Sequence, residues 1–133
     1  MVEIKNLTKK RIPSKRLLQL AERVLKKEKG EGKELSVVFV GPAKMRQLNK
    51  AHCKKDKPTN VLAFPGGKDA LGEVVLCPFV IRKDALEYKI SFQRAILWMF
   101  VHGLLHLLGH DHKTSNNEKT MTQKEQQYLS NIS

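Results

Sequence analysis

Apolar and polar positions alternate along the chain with two different periods, which predict four short strands and five helices. Apolar runs rich in β-branched residues predict strands over 2–7, 35–40, 59–64 and 73–76. Apolar positions that recur every three or four residues predict helices over 13–29, 43–52, 78–88 and 122–129. A further long helix is apolar on nearly all sides, with Ser91 placed to cap its start and Gly109 placed to end it. A helix of that kind is buried, so we expect it to lie at the centre of the core.

The order of these elements predicts the class of fold. Strands and helices interleave along the whole chain, which indicates a small sheet covered by helices, of α/β or α+β type. We expect the α+β class, with a mixed four-stranded sheet, and a single domain over 1–133. The first helix should end at Gly30, and 113–119 should form a polar loop. The buried face of the first helix should comprise Leu17, Leu18, Ala21, Val24 and Leu25.

Four of the five histidines lie in one stretch, 101–112, at the end of the long helix. His102 and His106 are four residues apart, so on a helix their side chains lie on one face, one turn apart. If Gly109 ends the helix in a left-handed turn, the chain can reverse and bring His112 back toward them. Three imidazoles can bind zinc at about 2.0–2.1 Å and leave its fourth position to water, as catalytic sites do. This zincin-like H-x3-H-x5-H spacing predicts a metal centre of His102, His106 and His112.

Two other interpretations of these histidines remain open. A lone histidine on an apolar helix is more often a hydrogen-bonded core residue than a ligand, but three imidazoles would then each need a separate partner. If the helix continued through Gly109, His110 would share the face of His106 and could be the third ligand instead of His112. We favour His112 because a glycine at this point is a typical helix end.

The histidine motif is similar to those of two known families. The frame H-x-x-x-H-x-x-G-x-x-H is that of the metzincin proteases, but Gly103 stands where they have their glutamate base. The fuller string HGLLHLLGHDH, from His102 to His112, instead resembles the YbeY family of bacterial metal-dependent endoribonucleases. Further motifs of that family resemble KDKPTNVLAFP at 55–65 and GEVV at 72–75, so the likeness covers most of 35–129.

The resemblance implies both a fold and a function. It implies a four-stranded sheet with helices around it, and a zinc-dependent endoribonuclease that hydrolyses single-stranded RNA. It also implies a role in rRNA maturation, at the 3′ end of 16S rRNA, and in ribosome quality control, with the small ribosomal subunit as partner. We expect one zinc ion per chain, although another divalent transition metal would suit the same ligands. We expect a monomer with no membrane partner.

Several side chains near this centre could assist the hydrolysis of a phosphodiester. A divalent ion lowers the pKa of its bound water toward about 7 and polarises a phosphoryl oxygen. Asp111 could orient a ligand imidazole or act as a base on the water, or it could simply cap the turn after Gly109. Lys54, Lys55 and Lys57 could contact phosphates, or they could belong to a solvated surface loop.

Four other residues have both a structural and a functional interpretation. A glycine inside a helix costs up to about 1 kcal/mol, so Gly103 serves either substrate access beside the metal or close packing of helix on strand. Glu73 is another candidate base, although we expect a solvated residue on an edge strand. Phe64 and Trp98 could stack on bases, but we expect both to pack in the core.

Cys53 is a departure from the family pattern. By alignment the family usually has arginine at this position, in a loop that serves the phosphate. A thiol cannot make the paired hydrogen bonds of a guanidinium, and a neighbouring lysine offers only a point charge. Cys53 and Cys77 lack C-x-x-C spacing, so we expect both to be free thiols that pack against their neighbours.

The formal net charge of +12 indicates a polyanionic partner such as RNA. The charged first residues and the short apolar stretch at 95–109 predict neither a signal peptide nor a spanning helix, so we expect a cytoplasmic protein.

Three functions remain. The first is the metal-dependent ribonuclease, and the second is a metallopeptidase, which Gly103 and the basic charge disfavour. The third is a non-catalytic ribosome-assembly protein with a structural metal, which the missing arginine favours.

Overall fold

The computed structural model describes residues 1–110 and 115–130, which form one four-stranded sheet and five helices. The strands are β1 (Val2–Asn6), β2 (Glu34–Phe39), β3 (Val61–Pro65) and β4 (Ala70–Leu76). The helices are α1 (Ser14–Lys27), α2 (Pro42–Cys53), α3 (Pro78–Tyr88), α4 (Phe92–Leu107) and α5 (Ser115–Leu129). The predicted α+β class and the order of its elements are confirmed.

The sheet is mixed, and its strand order is β1-β2-β4-β3. β1, β2 and β4 run parallel to one another, whereas β3 runs antiparallel to β4. β3 therefore lies at one edge of the sheet and β4 lies inside it. Glu73 belongs to β4, so the expectation that it occupies an edge strand is wrong.

Helix α4 is the centre of the core, as its apolar pattern predicted. Ser91 caps its start as expected, because the Ser91 side-chain oxygen accepts a hydrogen bond from the Arg94 backbone N–H at 3.1 Å. Nine of its residues are buried: Ala95, Ile96, Leu97, Met99, Phe100, Val101, Gly103, Leu104 and Leu105. Within 1–110 and 115–130, no helix has both the length and the apolar character needed to cross a bilayer.

Helix α1 buries a slightly different face from the predicted one. Leu20 is buried, whereas Leu18 is 37% exposed, so the prediction for Leu18 is wrong. The buried set is Leu17, Leu20, Ala21, Val24 and Leu25, which has the regular spacing of one helical stripe. Gly30 does not end the helix, because Glu28 is the cap and Lys29 has the left-handed conformation, with φ at 60°.

Helix α5 is longer than its sequence pattern indicated. It begins at Ser115, so the prediction of a polar loop is wrong for 115–119. Residues 116–120 are exposed, and a helical turn without an apolar stripe is hard to distinguish from a loop. The remaining part of the predicted loop, 113–114, lies outside the described residues.

Gly103 allows α4 to pack closely on the sheet. A Cβ atom at this position would lie 2.9 Å from Cγ1 of Val74 and 3.0 Å from Cγ2 of Val61. Distances this short would force the helix or the valines to move. Of the two explanations for a glycine here, the contacts therefore support close packing of helix on strand.

We expect Gly103→Ala to lower the free energy of unfolding by about 1–3 kcal/mol because of overpacking. Helix propensity alone would predict the opposite sign, a gain of about 1 kcal/mol. Urea denaturation of the wild type and the variant, followed by circular dichroism, measures the difference.

Val74→Ala is the matched test, because it removes the methyl group nearest to the added Cβ. Gly103→Ala should cost less in the Val74→Ala background than in the wild type, as a double-mutant cycle would measure. A stabilising effect of Gly103→Ala in the wild-type background would contradict the packing explanation.

Candidate metal centre

His102 and His106 lie one turn apart on α4, and their rings converge. The two Nε2 atoms are 3.2 Å apart, and the ring centroids are 4.7 Å apart. Two nitrogens bound to one tetrahedral ion at about 2.0–2.1 Å would lie about 3.3 Å from each other. The pair therefore fits a shared cation, and the same distance also suits an N–H···N hydrogen bond.

Gly109 ends α4 in the way the sequence predicted. Its φ is 96°, a left-handed conformation that favours glycine. The backbone N–H of Gly109 donates to the carbonyl of His106 at 3.1 Å, and that of His110 donates to the carbonyl of Leu105 at 3.0 Å. This pair of bonds is a Schellman motif. Because the helix stops here, His110 does not share the face of His106.

The third predicted ligand, His112, lies outside the described residues, as does Asp111. Of the predicted centre, the structure therefore brings together His102 and His106. In the described ranges, no three histidine, cysteine, aspartate or glutamate side chains form a group that could hold a metal ion. The proposed contribution of His112 and the role of Asp111 remain predictions.

Glu125 is a residue of this site that the sequence interpretation missed. It lies on α5, and only 6% of its surface is exposed. One carboxylate oxygen, Oε2, lies 3.3 Å from Nδ1 of His102, and the other accepts a hydrogen bond from Nε1 of Trp98 at 2.9 Å. When Nδ1 of His102 donates to this carboxylate, its Nε2 presents a lone pair toward His106. Glu125 can therefore set the tautomer and the ring orientation that a metal ligand needs.

A weak signal for Glu125 was present in the sequence. Met121, Glu125 and Tyr128 share one face of α5, and all three are buried. Glutamate is almost never fully buried unless it is paired. A glutamate at an apolar position of a helical repeat therefore indicates a specific partner, but the repeat cannot identify the partner as His102.

A second carboxylate, which is partly buried, holds the turn that follows α4. Glu28, at the end of α1, accepts hydrogen bonds from Lys124 at 2.8 Å and from the Tyr128 hydroxyl at 2.6 Å, and it lies 2.8 Å from Nε2 of His110. Burial alone would raise the pKa of Glu28, but the hydrogen bonds from Lys124, Tyr128 and His110 together lower it to about 2. Burial and the neighbouring Glu28 carboxylate raise the pKa of Tyr128. This cluster joins α1, α5 and the turn that follows α4.

A groove of about 490 Å³ runs between the histidine pair and the edge strand β3. Its lining includes Val61 to Ala63 from β3, His102 and His106 from α4, and Cys53 from the end of α2. Cys53 is exposed, so the expectation that it is a packing residue is wrong. Cys77 is buried as expected, and burial raises the pKa of its thiol. Both cysteines are free, as predicted.

The basic loop begins directly after Cys53. Lys54, Lys55 and Lys57 are all exposed, and Lys54 adopts the left-handed conformation that ends α2. The loop is attached to α2 by two hydrogen bonds from the Arg46 guanidinium to Asp56, at 2.7 and 3.1 Å. Hydrogen bonding from Arg46 lowers the pKa of Asp56.

The two candidate stacking residues are only partly in the core. Phe64 is half-buried, and its ring centroid lies 4.8 Å from that of His52. Trp98 is half-buried, and it also lines a second cavity, whose lining likewise includes His102. The expectation that both residues pack in the core is therefore only partly right.

Comparisons with known proteins identify the family. The profile of the family Endoribonuclease YbeY matches residues 3–133. The Endoribonuclease YbeY of Thermotoga maritima is 33% identical over 118 residues, which cover 87% of this chain and 78% of that protein. The one from Vesicomyosocius okutanii is 40% identical over 113 residues, covering 80% of this chain and 78% of that protein. A solution structure from Thermotoga maritima matches with a TM-score of 0.71 and 32% identity, covering 98% of this chain and 87% of that one.

Fold, site and comparisons together define a small α+β protein of an RNA-cleaving class, with paired histidines on its central helix. More specifically, the chain belongs to the YbeY family of endoribonucleases. The resemblance that the sequence motifs indicated is thereby confirmed.

We expect Glu28→Gln to lower the free energy of unfolding at pH 7 by about 2 kcal/mol, because it removes charge-assisted hydrogen bonds. The pKa of Glu28 is about 2 in the folded chain and 4.5 by its usual value. Its contribution is therefore fully present above about pH 4.5 and is lost as the pH falls toward 2. Urea denaturation at several pH values should show the difference between wild type and variant shrinking over this range.

Glu22→Gln is the matched control, because Glu22 is an exposed residue of the same helix. It should leave the free energy of unfolding within about 0.5 kcal/mol of the wild type. An equal effect of both substitutions, or a Glu28→Gln effect that does not change with pH, would contradict the role given to the cluster.

Proposed function

We propose that this chain is a metal-dependent endoribonuclease that hydrolyses phosphodiester bonds of single-stranded RNA in rRNA maturation. The observation that carries the proposal is the convergence of the His102 and His106 Nε2 atoms, 3.2 Å apart, beside an open groove in a member of an endoribonuclease family. The family relatives carry the name endoribonuclease, which supports cleavage of RNA. The same proposal includes action at the 3′ end of 16S rRNA and a role in ribosome quality control. It also includes a cytoplasmic location, a monomeric state and the small ribosomal subunit as partner.

His102, His106 and His112 would hold one divalent ion, and zinc suits three imidazole ligands. A bound ion of this kind supplies an activated water and polarises a phosphoryl oxygen. The chain supplies the orientation of the ligands, because the buried Glu125 carboxylate lies 3.3 Å from Nδ1 of His102. Asp111, next to His112, would orient that imidazole or accept a proton from the attacking water.

Positive charge would hold the RNA backbone beside the groove. Lys54, Lys55 and Lys57 are exposed and follow directly on Cys53, which lines the groove. Lysines in such a loop bind phosphates without regard to sequence, and their contribution falls as salt rises. The net charge of +12 favours the approach of a polyanion from solution.

One observation favours a second function, that of a ribosome-assembly protein that binds RNA without cleaving it. Cys53 lines the groove at the position where the sequence motif of the family usually has arginine. A guanidinium there could neutralise a phosphate with two hydrogen bonds, whereas a thiol cannot. Cleavage assays separate the two functions, because only the first requires turnover of RNA.

We expect His106→Ala to abolish cleavage of single-stranded RNA, because it removes one of the two converging nitrogens. The side chain is exposed, so the substitution should leave thermal stability close to that of the wild type. Gel analysis of end-labelled oligonucleotides, with and without chelator, measures the activity.

His52→Ala is the matched control, because His52 is exposed on α2 and does not line the groove. It should cleave at the wild-type rate, and chelator should inhibit the wild type and this control equally. Cleavage by His106→Ala at the wild-type rate would refute the nuclease proposal and point to a contaminating enzyme or to the non-catalytic function.

We expect Glu125→Gln to weaken zinc binding by about 10–100-fold, because the carboxylate that orients His102 is lost. The glutamine oxygen can still accept the hydrogen bond from Trp98, so packing is preserved. Competition with a chromophoric chelator measures the affinity. Glu118→Gln is the matched control, because Glu118 is exposed on the same helix, and this variant should bind zinc like the wild type. Equal zinc affinities of the wild type, Glu125→Gln and Glu118→Gln would contradict the role of Glu125.

A further inference from the structure

We propose that a cleft between α3, α4 and α5 binds a nucleobase of single-stranded RNA next to the cleaved phosphate. The cleft has a volume of about 780 Å³, and we call it the helical cleft. Its lining includes Tyr88, Arg94, Trp98, Thr122, Gln126 and Leu129. The inference rests on the proposed ribonuclease function, since it concerns the substrate of the same site.

The position of the helical cleft connects it to the candidate metal centre. His102 and Asn60 line both this cleft and the groove beside β3. An RNA strand whose phosphate lies at the histidine pair can therefore place the adjacent nucleotide in the helical cleft. Its volume lies in the usual range for sites that bind small ligands.

The walls of the helical cleft suit a flat ring. Tyr88 and Trp98 are in edge-to-face contact, with ring centroids 5.1 Å apart and planes at 81°. The hydrogen bond from Trp98 to Glu125 fixes the indole, and the same carboxylate lies beside His102. Proteins that bind single-stranded RNA commonly stack unpaired bases on aromatic side chains.

Charge in the helical cleft favours a base over a phosphate. Two carboxylates, Asp84 and Glu125, are part of its lining, and Arg94 is the one lysine or arginine among its described lining residues. Carboxylates repel a phosphate but can accept hydrogen bonds from the amino groups of bases. The Asp84 carboxylate is already held in place, because it accepts a hydrogen bond from Asn60 at 2.9 Å. The uncharged part of the nucleotide therefore fits inside, and its phosphate fits outside.

Tyr88→Ala tests the inference without threatening the fold, because this side chain is 56% exposed. The probe is a short single-stranded oligoribonucleotide with a fluorescent end label, together with versions that lack the base at one position at a time. Affinity is measured by fluorescence anisotropy in the His106→Ala background, so that the oligonucleotide stays intact. Phe79→Ala is the matched control, an aromatic residue of the same helix that is 49% exposed and does not line the cleft.

We expect Tyr88→Ala to weaken binding of the complete oligonucleotide by about 10-fold, as the loss of one base stack would. In the parent protein, which keeps Tyr88, removal of the base at one particular position should weaken binding by a similar factor. In the Tyr88→Ala variant, removal of the same base should have little further effect on affinity. Phe79→Ala should behave like the parent protein. Gln126→Ala should also weaken binding, whereas Gln127→Ala, which alters an exposed neighbour outside the cleft lining, should not.

Two results would overturn the inference. One is an equal effect of Tyr88→Ala and Phe79→Ala on affinity. The other is a loss of affinity from base removal that simply adds to the loss from Tyr88→Ala. Binding is measured separately from cleavage, so the two proposals can fail separately. Coupling between Tyr88 and one base in a protein that cleaves no RNA would support base binding in the helical cleft but refute the nuclease, and with it the placement of the base next to a cleaved phosphate. Cleavage without this coupling would support the nuclease and refute the helical cleft.

Discussion

The close contact of α4 with the sheet is the constraint on which the rest of the site depends. At Gly103 the helix lies so near β3 and β4 that a Cβ atom would meet Val61 and Val74. His102 and His106 stand on either side of this contact along the helix, and both line the groove beside the edge strand. A helix that provides much of the core thus also holds two imidazoles at the surface, on a rigid backbone.

Helix α5 supports this arrangement through two adjacent residues. Glu125 contacts Nδ1 of His102, and Lys124 donates to Glu28, which in turn contacts His110. One element thereby steadies both the histidine pair and the turn through which the chain leaves α4. Because a buried carboxylate is costly unless it is paired, loss of either partner of Glu125 would leave this side chain poorly compensated.

The features that local chemistry determines were predictable from the sequence. The cap at Ser91, the end of α4 at Gly109 and the spacing of His102 and His106 all depend on residues within a few positions of each other. The pairings of Glu28 and Glu125 join residues far apart in the chain, so periodicity can show that such residues are buried but cannot identify their partners. Trp98 was only partly assignable, since one aromatic residue can both pack on a core and line a cavity. Phe64 is likewise only half-buried, because it lies on the edge strand β3. Cys53 was misassigned as a packing residue because its exposure depends on where α2 ends relative to β3.

X-ray absorption at the zinc edge tests the central claim most directly, because it reports the atoms bound to the ion. If His102 and His106 share one ion, the wild type should hold one zinc per chain with imidazole nitrogens at about 2.0–2.1 Å. This signal should be lost when both histidines are replaced by alanine. A bound zinc ion without imidazole nitrogens at this distance, or a spectrum unchanged by the double replacement, would contradict the claim.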